Sequence, residues 1–139
     1  MVGGVLAEIE KAYHAGVQRL DLSDRQLTSL PAEIGKLRKL KILSLGRNML
    51  TELPPEIGLL TNLKKLDLDF NDLTSLPKEI ECLTKLHHLS FYRNKLTELP
   101  HLPPYLPSIS QHLAVDAGCN FINKIPASIV EHKQLRSRN

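Results

Sequence analysis

The residues whose types could support catalysis or metal binding are six histidines, two cysteines and one closely spaced pair of aspartates. Asp67 and Asp69 stand two residues apart, which on a strand places both carboxylates on one face, as in paired hydrolytic carboxylates. His87 and His88 are adjacent, so on a strand they point to opposite faces and are poorly placed to share a metal ion. Metal-ligand spacings, a nucleophile elbow and a Gly-rich phosphate loop are all missing from the sequence. We therefore interpret the aspartates as solvent-facing positions and predict no enzyme, no metal site and no cofactor.

Charge and cysteine content restrict the class of partner and the compartment. The net charge of +3 over 139 residues is too small to require nucleic acid or an anionic membrane as partner. Cys82 and Cys119 follow no secretory signal, and no stretch approaches the ~20 apolar residues of a membrane span. This predicts reduced thiols in a cytoplasmic protein, the alternative being a bacterial protein exported without a cleaved signal.

A basic cluster could meet phosphates, but nearby acidic residues and the lack of stacking aromatics favour a solvated surface. The cluster comprises Lys36, Arg38, Lys39 and Lys41.

A repeat of 23 residues is the element that must position these side chains. Copies begin at Val17, Leu40, Leu63 and Leu86, and a weaker fifth copy runs over residues 112–129. The shared pattern is L-x-x-L-x-L-x-x-N-x-L-x-x-L-P-x-x-I-x-x-L. The alternation of leucines predicts a short strand with one buried face, and strands of successive copies can bury that face by stacking. The proline, isoleucine and leucine that follow predict a short helical or 3₁₀ turn on the opposite side.

This pattern resembles the leucine-rich repeat, in the L-P-x-E-I-G form found in plant Ras-group proteins, Roco-type proteins and many bacterial proteins. The resemblance covers about residues 5–130. It implies an α/β fold: a short curved solenoid of about five repeats, with a parallel sheet on the concave face, irregular or 3₁₀ turns on the convex face and an N-terminal capping helix. The implied division is 1–16 for the helix, 17–39, 40–62, 63–85, 86–111 and 112–130 for the repeats, and 131–139 for a basic tail.

The ninth position of the repeat carries an asparagine where the chain turns inward. Its amide can both donate to and accept from backbone groups of its own coil and the neighbouring coil, which a buried turn requires. The predicted structural ladder is Asn48, Asn71, Asn94 and Asn120. In the first copy Arg25 replaces the asparagine, as is common in a terminal repeat.

The two ends and one insertion depart from the repeat. Residues 5–15 predict an amphipathic helix with Leu6, Ile9 and Tyr13 on its apolar face, ended by Gly16, which covers the edge of the first strand. The Pro-rich segment 100–107 lengthens the fourth unit to 26 residues and favours an extended connection. It is similar to repeats of bacterial effector proteins, and a docking peptide is the alternative interpretation. The tail predicts a partial cap followed by a frayed end.

The position of each residue within the repeat predicts which side chains face a partner. Positions three, five, seven and eight of each copy lie on the concave surface or its rim, and they carry both signs of charge. Phe70 and Tyr92, flanked by Asp69 and Arg93, have the composition of a protein-binding hot spot; Phe70 could instead pack against the neighbouring coil. The predicted partner-binding residues are Arg19, Asp21, Arg47, Lys65, Asp67, Asp69, Phe70, His88, Tyr92 and Arg93.

These observations predict a monomeric, non-catalytic module that binds a protein or peptide on its concave face, with no nucleic acid and no membrane as partner. The alternative is the recognition arm of a larger signalling enzyme, or a bacterial effector acting on a host protein.

Overall fold

The computed structural model describes residues 2–97, 114–116 and 135–136. One helix, α1 (Val2–Ala15), precedes six short strands. The strands are β1 (Arg19–Asp21), β2 (Ile42–Ser44), β3 (Lys65–Asp67), β4 (His88–Ser90), β5 (Ala114–Asp116) and β6 (Leu135–Arg136). They form one parallel sheet in chain order, which confirms the predicted solenoid architecture.

Sheet register follows the repeat. Leu20 pairs with Leu43, Leu43 with Leu66 and Leu66 with Leu89, each step advancing 23 residues along the chain. Leu89 then pairs with Val115, a step of 115 − 89 = 26 residues that matches the longer fourth unit. Equal repeats therefore place equivalent side chains beside one another on neighbouring strands, about 4.8 Å apart.

A 3₁₀ turn forms the convex side of each of the first three repeats. The turns span Ala32–Lys36, Pro55–Leu59 and Lys78–Cys82. Each begins after a proline in extended conformation, whose carbonyl accepts an i+3 hydrogen bond such as that from Ile57 N to Pro54 O at 3.0 Å. This bond spacing is that of a 3₁₀ turn, and the central isoleucine of each turn is buried. The predicted convex turn with proline near its start is confirmed.

The core is a continuous aliphatic column between the sheet and the 3₁₀ turns. Equivalent leucines of successive coils, such as Leu45 and Leu68, stack with no exposed surface, and Phe91 occupies the same column in the fourth repeat. Because each coil buries its apolar residues only against its neighbours, stability grows by stacking.

Helix α1 packs on the first coil through a different face from the predicted one. Val5, Ile9 and Ala12 are buried, whereas Tyr13 is half exposed and Leu6 only partly covered. Both sets have helical spacing, but the small side chains of the observed face allow the helix to approach the coil closely. The predicted apolar face was therefore right for Ile9 and wrong for Tyr13, with Leu6 at its margin. A helix that covers the first coil is present.

The end of α1 is fixed by a glycine turn. Gly16 has φ +62°, a conformation that L side chains rarely adopt. The amide of Gly16 donates to Tyr13 O at 3.2 Å and the amide of Val17 to Ala12 O at 3.3 Å, the two hydrogen bonds of a Schellman cap. This cap turns the chain from the helix directly into β1.

The contacts of Arg25 explain why the first repeat has no asparagine at this position. Its guanidinium pairs with Glu8 of α1 through Nη1–Oε2 at 2.6 Å and Nη2–Oε1 at 3.0 Å. A second ion pair joins Lys36 to Glu10 at 2.8 Å. The first repeat has helix α1 on the side where the other repeats have a preceding coil. The long side chain of Arg25 therefore reaches the helix, at the position where the other repeats carry an asparagine.

Several predictions lie outside the described residues: the course of the Pro-rich segment 100–107, Asn120 and Cys119. Within the predicted basic tail, Leu135–Arg136 pairs with β5. The tail thus adds a sixth strand to the sheet, where a partial cap and a frayed end were expected. Pairing satisfies the main-chain groups that β5 would otherwise present at the sheet edge.

Across the described residues, no helix has the length and hydropathy needed to span a membrane.

Candidate functional site

The chain leaves each strand through a tight left-handed turn at repeat position eight. Asp24, Arg47, Phe70 and Arg93 have φ between 56° and 59° at this position. Such values are uncommon for residues with a side chain and are strained for a bulky one. The backbone is held there by hydrogen bonds to the next coil, including Arg47 N to Asp69 O and Phe70 N to Tyr92 O, both at 2.8 Å. The turn swings the side chain at position eight out to the rim of the concave face.

The buried asparagines hold this turn from inside. Asn71 accepts from Leu50 N at 3.0 Å and donates to Leu45 O at 3.0 Å and Leu68 O at 3.1 Å. Asn48 and Asn94 make equivalent bonds. Each asparagine therefore ties its own coil to the preceding one directly behind the position-eight residue.

Four side chains form a cluster at the rim, which we call the aromatic rim: Arg47, Phe70, Tyr92 and Arg93. Phe70 and Tyr92 meet edge to face, with ring centroids 5.8 Å apart and an interplanar angle of 70°. The Arg47 and Arg93 guanidinium carbons lie 5.3 and 5.9 Å from the Phe70 ring centroid. Arg93 also lies 5.8 Å from the Tyr92 ring. Such cation–π contacts restrict the arginines without removing them from solvent.

Phe70 remains 41% exposed within this cluster. The alternative that it packs against the neighbouring coil is therefore true only in part: one edge contacts Tyr92, and a large part of its surface faces solvent. Few other large apolar side chains among the described residues are as exposed; they are Tyr13, Met49 and Leu59.

Asp69 positions the rim. Its Oδ1 accepts from the Tyr92 amide at 2.7 Å and from the Ser90 hydroxyl in a short hydrogen bond. Asp67 in turn accepts from the Asp69 amide at 2.9 Å, and Asp21 accepts from Ser23 N at the same distance in the first repeat. These carboxylates close turns at the ends of strands, so Asp67 and Asp69 have structural partners that explain their spacing.

The remaining predicted residues lie elsewhere on the same face. Arg19, Lys65 and His88 stand at position three, and Lys65 pairs in register with His88. Arg19 and Asp21 belong to β1, two strands away from β3. The structure thus brings together Arg47, Asp69, Phe70, Tyr92 and Arg93 of the predicted set, and leaves Arg19 and Asp21 apart.

A line of cations lies where the strands begin, and sequence reasoning recognised only the part of it at the first inter-repeat turn, with Arg38, Lys39 and Lys41. Lys41 and Lys64 occupy position two, and Lys64 N donates to Lys41 O at 2.7 Å. Asn62 of the preceding turn donates to Arg38 O at 2.8 Å and accepts from Lys85 Nζ at 2.9 Å. The signal was available, because the 23-residue period alone aligns these positions. We call the set the basic edge: Arg38, Lys39, Lys41, Lys64, Lys65 and Lys85.

Within the part of the chain that the structure describes, no three His, Cys, Asp or Glu side chains are grouped so that they could hold a metal ion. The site consists of an aromatic pair, arginines that contact it and carboxylates with backbone partners.

Repeat length, the parallel sheet and the asparagine ladder define a leucine-rich-repeat solenoid. The family model described as a leucine-rich repeat region matches residues 6–103, so the chain belongs to the leucine-rich-repeat family. A leucine-rich-repeat protein of Leptospira interrogans has a similar structure, with a TM-score of 0.69 and 35% sequence identity over 86% of this chain and 36% of its own. InlP of Listeria monocytogenes is similar with a TM-score of 0.63 and 29% identity over 78% of this chain and 28% of its own. The chain thus spans about a third of the length of these two proteins. No curated protein matches the sequence.

Proposed function

We propose that the chain is a protein-interaction module that binds a protein or peptide partner on its concave face, with the aromatic rim as the anchor. The observation that carries this proposal is Phe70, a large apolar side chain that is 41% exposed on a residue with φ 58°. Asparagine or glycine would satisfy that backbone at lower cost. Since the same φ recurs at position eight of the neighbouring repeats, it is the exposed aromatic side chain that singles out residue 70 as a binding position.

The chemistry of the rim suits protein recognition. Tyrosine and arginine are enriched at binding hot spots, and aromatic side chains supply large contact area with few rotatable bonds. The edge-to-face contact with Tyr92 and the two guanidinium groups hold the Phe70 ring in place before a partner arrives. Pre-organisation of this kind lowers the entropy cost of binding.

Within this proposal, Asp69 is a positioning residue. Its carboxylate holds the Tyr92 backbone and the Ser90 hydroxyl, and so acts on a partner through Tyr92. The four residues of the aromatic rim, Arg47, Phe70, Tyr92 and Arg93, are the ones that make direct contact.

A photocrosslinking experiment tests the location of the site. The photoreactive analogue benzoyl-phenylalanine replaces Phe70 in one variant and Leu59 in another. Leu59 is a matched control because it is 40% exposed and lies on the convex turn. The proposal expects a covalent adduct of one defined protein from position 70 and none from position 59; the reverse pattern would place binding on the convex side.

A second candidate follows from the length of the structural neighbours. Both are bacterial proteins of which this chain spans about a third. The module is on this reading the recognition arm of a larger protein or of a bacterial effector, with the same rim as its contact. This candidate predicts a partner that binds a longer protein containing the chain and does not bind the chain alone. The first proposal predicts that the chain alone binds.

Monomeric state, cytoplasmic location and lack of catalysis also belong to the proposal. The location could instead be extracellular through export without a cleaved signal. Sedimentation of the purified chain, fractionation of the source cells and turnover assays test the three in turn.

A further inference from the structure

The basic edge is separated from the aromatic rim by the length of the strands. Its residues lie at positions two and three and in the preceding turn, whereas the rim lies at positions seven and eight. Four to six chain positions separate the two sets, which is at most roughly 13–20 Å of extended chain. The edge is therefore a surface of its own on the same concave sheet.

Repeat stacking brings like charges together along this edge. Backbone hydrogen bonds from Lys64 and Lys65 to Lys41 O, at 2.7 and 3.0 Å, place these lysines on adjacent coils. Lys64 O accepts in turn from the amides of His87 and His88, so histidines take the equivalent positions on the fourth coil. Like charges that face one another on neighbouring strands destabilise a sheet.

Carboxylates do not compensate this line. The ion pairs among the described residues use other cations: His14, Arg25, Lys36 and Lys95. Asp21, Asp67 and Asp69 lie at the opposite end of the strands, where each accepts a backbone hydrogen bond. The far end of the strands thus carries both signs of charge, since Arg47 and Arg93 lie there beside the aspartates, whereas the edge carries cations.

One end of the edge opens into a groove of about 460 Å³ beside the end of α1. The groove has apolar side chains together with three cations, of which Lys36 is already paired with Glu10. Its lining includes Ala12, Val17, Leu37, Lys36, Arg38 and Lys39. An extended segment along the edge could place one apolar side chain here while its charged side chains meet lysines.

We propose that the basic edge binds an acidic, extended segment of the protein partner. Charge complementarity argues for an acidic occupant. A protein occupant is favoured because one polypeptide can supply both carboxylates for the edge and an apolar side chain for the groove, whose lining also includes Tyr13 and His14. The inference rests on the proposed function as a protein-binding module but uses a different surface from the aromatic rim.

The test uses a fluorescein-labelled peptide in which glutamate alternates with serine, and the same peptide with glutamine in place of glutamate. Binding is followed by fluorescence polarisation for the whole chain and for Lys64→Glu/Lys65→Glu. The control Lys11→Glu/Lys78→Glu has the same change of net charge, with both exposed residues away from the edge. Circular dichroism checks that each variant is folded.

We expect the glutamate peptide to bind and the glutamine peptide not to bind. Reversal of the two edge lysines should weaken binding at least about tenfold, and the control should weaken it much less. Equal weakening by both variants, or no binding of the glutamate peptide, would overturn the proposal. Tighter binding of an oligothymidylate or of phosphatidylserine vesicles, lost in the same edge variant, would overturn it in favour of nucleic acid or membrane.

Phe70→Asn separates this inference from the proposed function. The peptide should bind Phe70→Asn as it binds the unmodified chain, because residue 70 is outside the edge. Loss of peptide binding in Phe70→Asn would overturn the assignment of two independent surfaces. If position 70 crosslinks no protein, the proposed binding at the aromatic rim is contradicted. The peptide experiment on the basic edge is independent of that result.

Discussion

The Phe70 and Tyr92 rings meet edge to face, 5.8 Å between centroids, although they belong to different repeats. Residue 92 stands one position before the equivalent of residue 70 in the next coil. The left-handed turn at Phe70 swings its ring across to that neighbour, and Asp69 fixes the Tyr92 backbone from the same side. The rim therefore depends on the joint between two repeats.

Phe70→Asn should leave the fold intact. Asparagine tolerates the left-handed conformation, which relieves a cost of about 1–2 kcal/mol. The substitution also removes an edge-to-face contact of about 0.5–1.5 kcal/mol and exposed cation–π contacts of about 0.5–1 kcal/mol. Because these effects oppose one another, we expect the free energy of unfolding to change by less than about 1 kcal/mol. Urea denaturation measures it, and a much larger loss would show that Phe70 is a core residue.

Asn71→Ala should destabilise the solenoid. The change leaves the buried Leu50 N without its acceptor, at a cost of about 1–3 kcal/mol. It also removes one of the two amide donors at Leu45 O and at Leu68 O, which keep their bonds to Asn48 and Asn94. Asn62→Ala is the control, since Asn62 is only partly buried and lies on the turn surface. Equal unfolding midpoints for the two variants in urea would contradict the structural role of the ladder.

Gly58→Ala should cost more than Gly46→Ala. A Cβ at residue 58 would lie 2.8 Å from the Glu79 carbonyl oxygen of the next 3₁₀ turn, whereas one at residue 46 would meet nothing closer than 3.4 Å. Overpacking of this kind costs about 1–3 kcal/mol. Thermal unfolding compares the variants, and a stable Gly58→Ala would mean that the convex turns are spaced more widely.

Attachment of α1 should weaken in acid. The hydrogen bond from Arg25 lowers the pKa of Glu8 from its ordinary value of 4.5. Since the folded-state pKa is the lower one, the stabilisation is fully present above about pH 4.5 and is lost as pH falls through the folded-state pKa. Both side chains are partly exposed, so solvent screening keeps the contribution below about 1 kcal/mol. The difference in stability between the unmodified chain and Glu8→Gln should shrink as pH falls below that value; a constant difference would argue against the ion pair.

The repeat made most of the fold predictable. Leucines at fixed spacing and the prolines before each 3₁₀ turn were sufficient to infer strands, turns and register, because every coil repeats one set of local rules. The apolar face of α1 was not inferred correctly, because Val5 and Ala12 are small and the helical period admits Leu6 and Tyr13 equally well. Side-chain size against a neighbouring coil decides that choice.

The candidate site was less accessible to sequence reasoning. Position eight could be named as a rim position, but its positive φ arises from hydrogen bonds to the next coil and from the asparagine behind it. The role of Arg25 depended on a helix packed against the first coil, which periodicity in the repeats does not describe. The structural partners of Asp69 likewise depend on which groups of the next coil come within reach.

The measurement that tests the central claim most directly is the affinity of the crosslinked partner for Phe70→Asn and for Leu59→Asn. The two residues are equally exposed, on the rim and on the convex turn respectively. Loss of a hot-spot anchor costs 2 kcal/mol or more, so Phe70→Asn should weaken binding by about thirtyfold, with Leu59→Asn close to the unmodified chain. Equal affinity of the unmodified chain and a folded Phe70→Asn would contradict binding at the aromatic rim.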